Sequence, residues 1–177
     1  GRDAEALADA EEEVLIYRRL SEEVSKGYLQ KLAESLEKRA RRQVQLGRTK
    51  AASFSMEQAI EVYRARRNAI QAVDAATPNE LSPPIYEKPP EHRRTDRFKA
   101  SIELVGALCR GAPILRNQGR LETLFEHFQE ALLVLAPDIK EVDMPRESLA
   151  AIVTIYLDLA GETKRPTNEN LRALLGV

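Results

Sequence analysis

The residues best suited to binding chemistry are cations in the first half of the chain. From Lys38 to Met56 the sequence contains six cations and no acidic residue. A guanidinium group forms paired hydrogen bonds with phosphate oxygens, so a cluster of arginines can bind nucleic acid. The sequence therefore predicts a candidate nucleic-acid or partner contact at one end of a helical hairpin. Its residues are Lys38, Arg39, Arg41, Arg42, Arg48, Lys50, Arg64 and Arg67.

A second interpretation explains the same cations without nucleic acid. The predicted first helix opens with acidic residues, including Glu11–Glu13, and closes with the basic ones. The helix dipole favours this order, and the cations could also pair with Glu57 and Glu61 across an antiparallel hairpin. No aromatic residue interleaves the basic run, and the net charge is only −1. A protein contact is therefore the favoured interpretation and nucleic acid the alternative.

Three further residues have side chains capable of catalysis or metal binding. Cys109, the only cysteine, falls on an apolar stripe without a neighbouring base, which is typical of a buried core residue. His92 lies among prolines and arginines, and His127 has no carboxylate partner at metal-binding spacing except the weak candidate Glu130. We therefore expect no enzymatic activity, catalytic residue, metal site or cofactor.

Composition favours a charge-rich helical protein. The chain has 177 residues, of which 43% are hydrophobic, 31% charged and 5% aromatic. This balance is typical of amphipathic helices with a core of leucine, isoleucine, valine and alanine. Neither a signal peptide nor an apolar run long enough to span a bilayer is apparent, so we expect a cytoplasmic protein that does not enter a membrane.

Hydrophobic periodicity predicts a long helical hairpin over residues 1–76. The first helix extends from Ala4 to about Leu46, with a kink or helix boundary near Gly27, and Gly47 occupies the position after its end. The second helix begins near Ser55, where a serine followed three residues later by glutamine has the form of a capping box. Its apolar stripe is Met56, Ala59, Ile60, Tyr63, Ile70 and Val73.

A proline-rich segment separates this hairpin from a second set of helices. Residues 77–95 contain five of the nine prolines, so we expect an extended connector there. Residues 96–177 predict a bundle of shorter helices, with ends at Gly111 and Pro113, at Pro137 and at Gly161, an N-cap at Asp143 and a last helix from Thr167. The fold class expected from these patterns is all-α.

Two of the predicted helices have more apolar surface than one face can bury. Residues 132–135 and 149–157 leave few polar positions, which is typical of helices that are covered on several sides. The hairpin or another chain could supply that cover. We therefore predict a non-enzymatic assembly or adaptor subunit that binds a protein partner or a second copy of itself.

Overall fold

The protein is helical throughout the residues that the structure describes. A computed structural model describes residues 2–75, 90–139 and 146–166, and within these ranges it contains six α-helices and no strand. The predicted all-α fold class is confirmed. The helices are α1 (Arg2–Glu23), α2 (Leu29–Gln45), α3 (Thr49–Ala75), α4 (Pro90–Arg116), α5 (Leu121–Ile139) and α6 (Arg146–Thr163).

Residues 2–45 contain two antiparallel helices, so the helix predicted from Ala4 to about Leu46 is divided at the boundary considered near Gly27. The chain breaks at Ser25, which is extended (φ −162°, ψ 140°), and a short 3₁₀ turn of Lys26–Tyr28 follows. The Ser25 hydroxyl accepts a hydrogen bond from the Gly27 amide at 3.1 Å, and this local bond competes with the helical ladder. Helix α1 consequently folds back along α2, and the break coincides with the helix boundary considered at Gly27.

Helix α3 begins six residues before the predicted capping box. Gly47 adopts a left-handed conformation (φ 70°) after α2, as expected for its position, and α3 starts at Thr49. Ser55 is therefore a buried residue of the helix interior rather than its cap. Its hydroxyl donates to Gln43 Oε1 at 2.7 Å, which ties α3 to α2.

Prolines mark the ends of the later helices less strictly than predicted. Helix α4 begins at Pro90, so residues 90–95 of the predicted extended connector are helical. Proline is well tolerated in the first turn of a helix, because the N–H group that it lacks would have no helical partner there. Pro113 lies inside α4, where it is exposed and where the neighbouring Leu115 anchors the helix in the core. Helix α5 likewise passes Pro137 and ends at Ile139.

Glycines also depart from their predicted roles. Gly111 does not end α4: a Cβ atom there would lie 2.8 Å from Met56 Cγ, so the glycine allows α4 to approach α3 closely. Helix α6 passes Gly161 and ends at Thr163, after which Lys164 takes the left-handed conformation (φ 53°). Residues 77–89 of the predicted connector, the Asp143 cap and the predicted last helix from Thr167 lie outside the described residues.

One hydrophobic core joins all six helices. It includes Val14, Leu36, Ile60, Leu108 and Tyr156, which come from five of them. Phe125 of α5 completes the series and stacks on Tyr156, with ring centroids 5.3 Å apart. Among the described helices, the most extensive contacts join consecutive pairs, and a smaller contact joins α4 to α6.

Candidate protein-binding groove

Half of the predicted basic cluster serves contacts within the protein. Lys38 of α2 pairs with Glu13 of α1, with Nζ and Oε1 2.6 Å apart. Arg39 points towards α3, where its Nε donates to Ser55 Oγ at 3.0 Å and its Nη2 donates to Gln58 Oε1 at 2.7 Å. These two cations hold the first three helices together.

Arg64 and Arg67 connect α3 to α5. Arg64 Nη2 lies 3.0 Å from Glu130 Oε2, and its other terminal nitrogen pairs with Glu61 on the same helix. The Arg67 side chain is only 7% exposed and lies 3.6 Å from Glu130 Oε1. Burial lowers the pKa of Arg67, and the negative charge of Glu130 opposes this shift. Both arginines therefore belong to an interhelical ion-pair network.

The remaining four cations surround the turn between α2 and α3. Arg41, Arg48 and Lys50 are exposed and have no ion pair within the described residues. Arg42 donates a hydrogen bond to Gln45 Oε1 at 2.9 Å. The eight candidates thus do not converge on one surface: four lie around the turn, and four connect helices.

Acidic partners for the arginines come from helices far away in sequence. Glu37 of α2 is buried and accepts two hydrogen bonds from Arg110 of α4, at 2.9 and 2.7 Å. This contact raises the pKa of Arg110. Arg66 pairs with Glu103 across the α3–α4 interface in the same way. Sequence reasoning missed these pairs because nothing local in the chain indicates which distant helices meet.

The residues considered for catalysis are dispersed. Cys109 is half-buried, and burial raises the pKa of its thiol. Burial lowers the pKa of His127, and the nearby charge of Arg64 lowers it further. Within the described residues no group of three metal-ligating side chains comes together, and no helix there combines the length and apolarity needed to cross a bilayer. The side chain of His92 lies outside the described residues.

A groove of about 520 Å³ opens between α1 and α3, with α2 as its floor. Leu29, Leu32 and Leu36 of α2 form the apolar floor. These leucines recur at three- and four-residue intervals, so they lie on one face of the helix. The walls are formed by Arg18, Ser21 and Glu22 of α1, Lys26 of the turn, and Phe54, Glu57, Gln58, Glu61 and Val62 of α3.

One large apolar side chain lines this groove in contact with solvent, and a second lies near it on α1. Phe54 is 61% exposed, on the same face of α3 as Glu57 and Glu61. Leu15 is 67% exposed and precedes the lining residue Arg18 by three positions, which places both on one side of α1. Sequence reasoning missed the groove, although Phe54 lies outside the predicted apolar stripe of its helix, a signal that could have identified an exposed aromatic residue.

The acidic residues of the α3 wall have ion-pair partners, whereas the cations around the groove have none among the described residues. Glu57 and Glu61 both have arginine partners: Glu57 Oε1 lies 3.0 Å from Arg120, and Glu61 pairs with Arg64. Arg18 and Lys26 have no ion pair within the described residues, and the hydrogen-bond partners of Arg39 are uncharged. Burial lowers the pKa of Arg39, and the positive charge of Arg18 adds to this effect.

No protein-family model, curated protein or solved structure matches this chain.

Proposed function

We propose that this protein is a non-enzymatic, cytoplasmic adaptor or assembly subunit that binds a segment of a protein partner in the groove between α1 and α3. The observation that carries the proposal is the exposure of Phe54 (61%) beside an apolar floor of leucines. Aromatic residues at the edge of a depression are typical anchors of protein interfaces, since they remove a large apolar area from water on binding.

The shape of the groove suits a helical or extended peptide segment. Three helices bound it, and the leucine floor follows the axis of α2 for about two turns, from Leu29 to Leu36. An amphipathic helix placed along such a floor buries side chains at positions i, i+3, i+4 and i+7.

The contribution of Phe54 can be estimated from its exposed area. Complete burial of a phenylalanine side chain contributes about 1.5–3 kcal/mol. Since 61% of Phe54 is exposed, about 1–2 kcal/mol remains for a partner to gain. The substitution Phe54→Ala is therefore expected to weaken partner binding by about fivefold to thirtyfold.

The test is selection of peptides from a random phage-displayed library on the full chain. We expect enriched peptides that lose affinity for Phe54→Ala but bind Val44→Ala as well as the wild type. Val44 is the matched control because it is 44% exposed and does not line the groove. Failure to enrich any peptide, or equal binding of all enriched peptides to both variants, contradicts the proposal.

The partner could also be a second copy of this chain, and light scattering distinguishes the two cases. If self-association uses the groove, the molar mass of the wild type exceeds that of the monomer and Phe54→Ala reduces it. A monomeric wild type that still binds selected peptides indicates a different protein as the partner. The Val44→Ala variant again reports whether any effect belongs to the groove.

A second candidate function is nucleic-acid binding at the turn between α2 and α3. The observation that favours it is the exposure of Arg41, Arg48 and Lys50 without acidic partners in the described residues. Each phosphate contact releases counterions, so binding of a labelled duplex or single strand should weaken steeply as salt rises. Replacement of these three residues by glutamate should abolish it. Absence of binding by the wild type at low salt eliminates this candidate.

A further inference from the structure

Arg39 lies beside the groove: it does not line the groove itself, but its Nη2 donates to Gln58, which lines the α3 wall. It follows Leu36 by three residues and Leu32 by seven, so it lies on the same face of α2 as the leucines. Its two hydrogen bonds go to the neutral oxygens of Ser55 (3.0 Å) and Gln58 (2.7 Å). Its Nη1 atom donates no hydrogen bond to the described residues, so the guanidinium group is held in place with donor capacity remaining.

The groove carries more uncompensated positive than negative charge. Arg18, Lys26 and Arg39 all lack a carboxylate within ion-pair distance among the described residues. The acids of the α3 wall, Glu57 and Glu61, already pair with arginines. Glu22 is the lining acid that has no ion pair in the described part of the chain, and the charge of Glu11 acts on Arg39 from a greater distance.

We propose that the groove selects an acidic amphipathic segment, with apolar side chains on the leucine floor and a carboxylate at Arg39 and Arg18. This proposal rests on the proposed function, since it specifies the chemistry of the partner at the same groove. A carboxylate on the segment would accept charge-assisted hydrogen bonds from guanidinium groups that have no acid of their own.

A basic segment suits the same groove poorly. It would bring further positive charge towards Arg18, Lys26 and Arg39, and the paired Glu57 and Glu61 offer it little compensation. Like charges brought together at an interface disfavour the wrong partner, so charge provides selectivity. The exposed ring of Phe54 provides most of the apolar contact area, since Leu29, Leu32 and Leu36 are at most 8% exposed.

Two designed peptides test the proposal. Both are labelled amphipathic helices of about five turns (~18 residues) with leucine at positions i, i+3, i+4 and i+7. One has glutamate beside the leucine stripe, and the other has lysine at the same positions. Fluorescence anisotropy should show the acidic peptide binding the full chain about tenfold more tightly than the basic one, with a preference that shrinks as salt rises.

Charge reversal at the groove should invert this preference. The double variant Arg18→Glu, Lys26→Glu is expected to favour the basic peptide. The matched control Arg41→Glu, Arg48→Glu makes the same change in net charge at exposed positions outside the groove, and it should keep the preference for the acidic peptide. Arg39→Met should weaken the binding of the acidic peptide and strengthen that of the basic one, with circular dichroism confirming that each variant is folded.

The outcomes separate this inference from the proposed function. Equal binding of both peptides, or stronger binding of the basic one, overturns the acidic preference. If neither designed peptide binds, the peptides selected from the library decide: a neutral or basic consensus among those sensitive to Phe54→Ala overturns only this inference. If no selected peptide depends on Phe54, both proposals fail together.

Discussion

Helix α3 contributes to two surfaces that differ in whether their cations have carboxylate partners. Towards α5 it presents Arg64 and Arg67, and both pair with Glu130. Towards the groove it presents Phe54 in contact with solvent, opposite cations that have no carboxylate partner in the described residues. The cations at the interface with α5 thus have a carboxylate partner within the protein, and Arg18 and Lys26 at the groove have none among the described residues.

This difference cannot be predicted from the sequence, because it depends on which side chains surround each arginine in the fold. Arg39 and Arg67 are the same residue type on neighbouring helices, and both have a pKa lowered first by burial. Arg67 has an acidic neighbour in Glu130, whereas Arg39 has Ser55 and Gln58. Arg39 is half-buried, and withdrawing a cation from water without an acidic partner costs stability, so its position beside a groove is informative about binding.

The largest expected effect is on the free energy of unfolding, which should respond differently to substitutions at the floor and at the edge of the groove. Leu36 is completely buried and belongs to the core, so Leu36→Ala should lower the free energy of unfolding by about 2–5 kcal/mol. Phe54→Ala, at an exposed position, should change it by less than about 0.5 kcal/mol. Urea unfolding monitored by circular dichroism measures both. Comparable losses in the two variants would show that Phe54 is part of the core and not a binding residue.

The next effect tests whether the interface with α5 depends on Glu130. Glu130→Ala removes the acid that both Arg64 and Arg67 contact, and it leaves Arg67 buried without a carboxylate. We expect a loss of about 1–3 kcal/mol, moderated by the partial exposure of Glu130. The control is Glu22→Ala, which removes a groove acid without an ion pair and should cost less than about 0.5 kcal/mol. Equal stabilities of the two variants would remove the contrast between the surfaces.

Much of the fold could be predicted because periodicity and glycine positions are local signals. The helical class and the turn at Gly47 follow from them directly. Ser55 shows the limit: its sequence context has the form of a helix cap, but Arg39 and Gln43 of another helix engage its hydroxyl. Pro113 shows the same limit, because packing of the following Leu115 maintains a helix that proline alone disfavours.

The site could be predicted only in part, for a related reason. The clustering of cations around residues 38–50 is visible in the sequence, and Arg41, Arg48 and Lys50 are indeed exposed. The pairing of Glu37 with Arg110 joins residues 73 positions apart, and no pattern in the chain specifies that contact. The groove likewise depends on α1 turning back at Ser25, which places Arg18 opposite α3.

The free energy of unfolding is expected to depend on pH through His127 of α5. The pKa of His127 lies below its usual value of about 6.5, because of burial and then the charge of Arg64. The unfolded chain therefore binds a proton more readily, and stability falls as the pH drops through about 6.5 towards the lowered value. The loss between about pH 7.5 and 5.5 should be smaller in His127→Gln than in the wild type. Identical pH profiles of unfolding would contradict this expectation.

The smallest expected effect concerns the ion pair that joins α1 to α2. Lys38 and Glu13 approach to 2.6 Å, but their side chains are 40% and 39% exposed, so water screens their attraction. A double-mutant cycle of Lys38→Met and Glu13→Gln should give a coupling of about 0.2–1 kcal/mol that decreases with added salt. A coupling above about 2 kcal/mol would mean that this pair, and not the apolar contacts of Val14 with α2, determines how α1 packs. The groove wall would then depend on salt, and the peptide affinities of the groove would have to be measured at constant ionic strength.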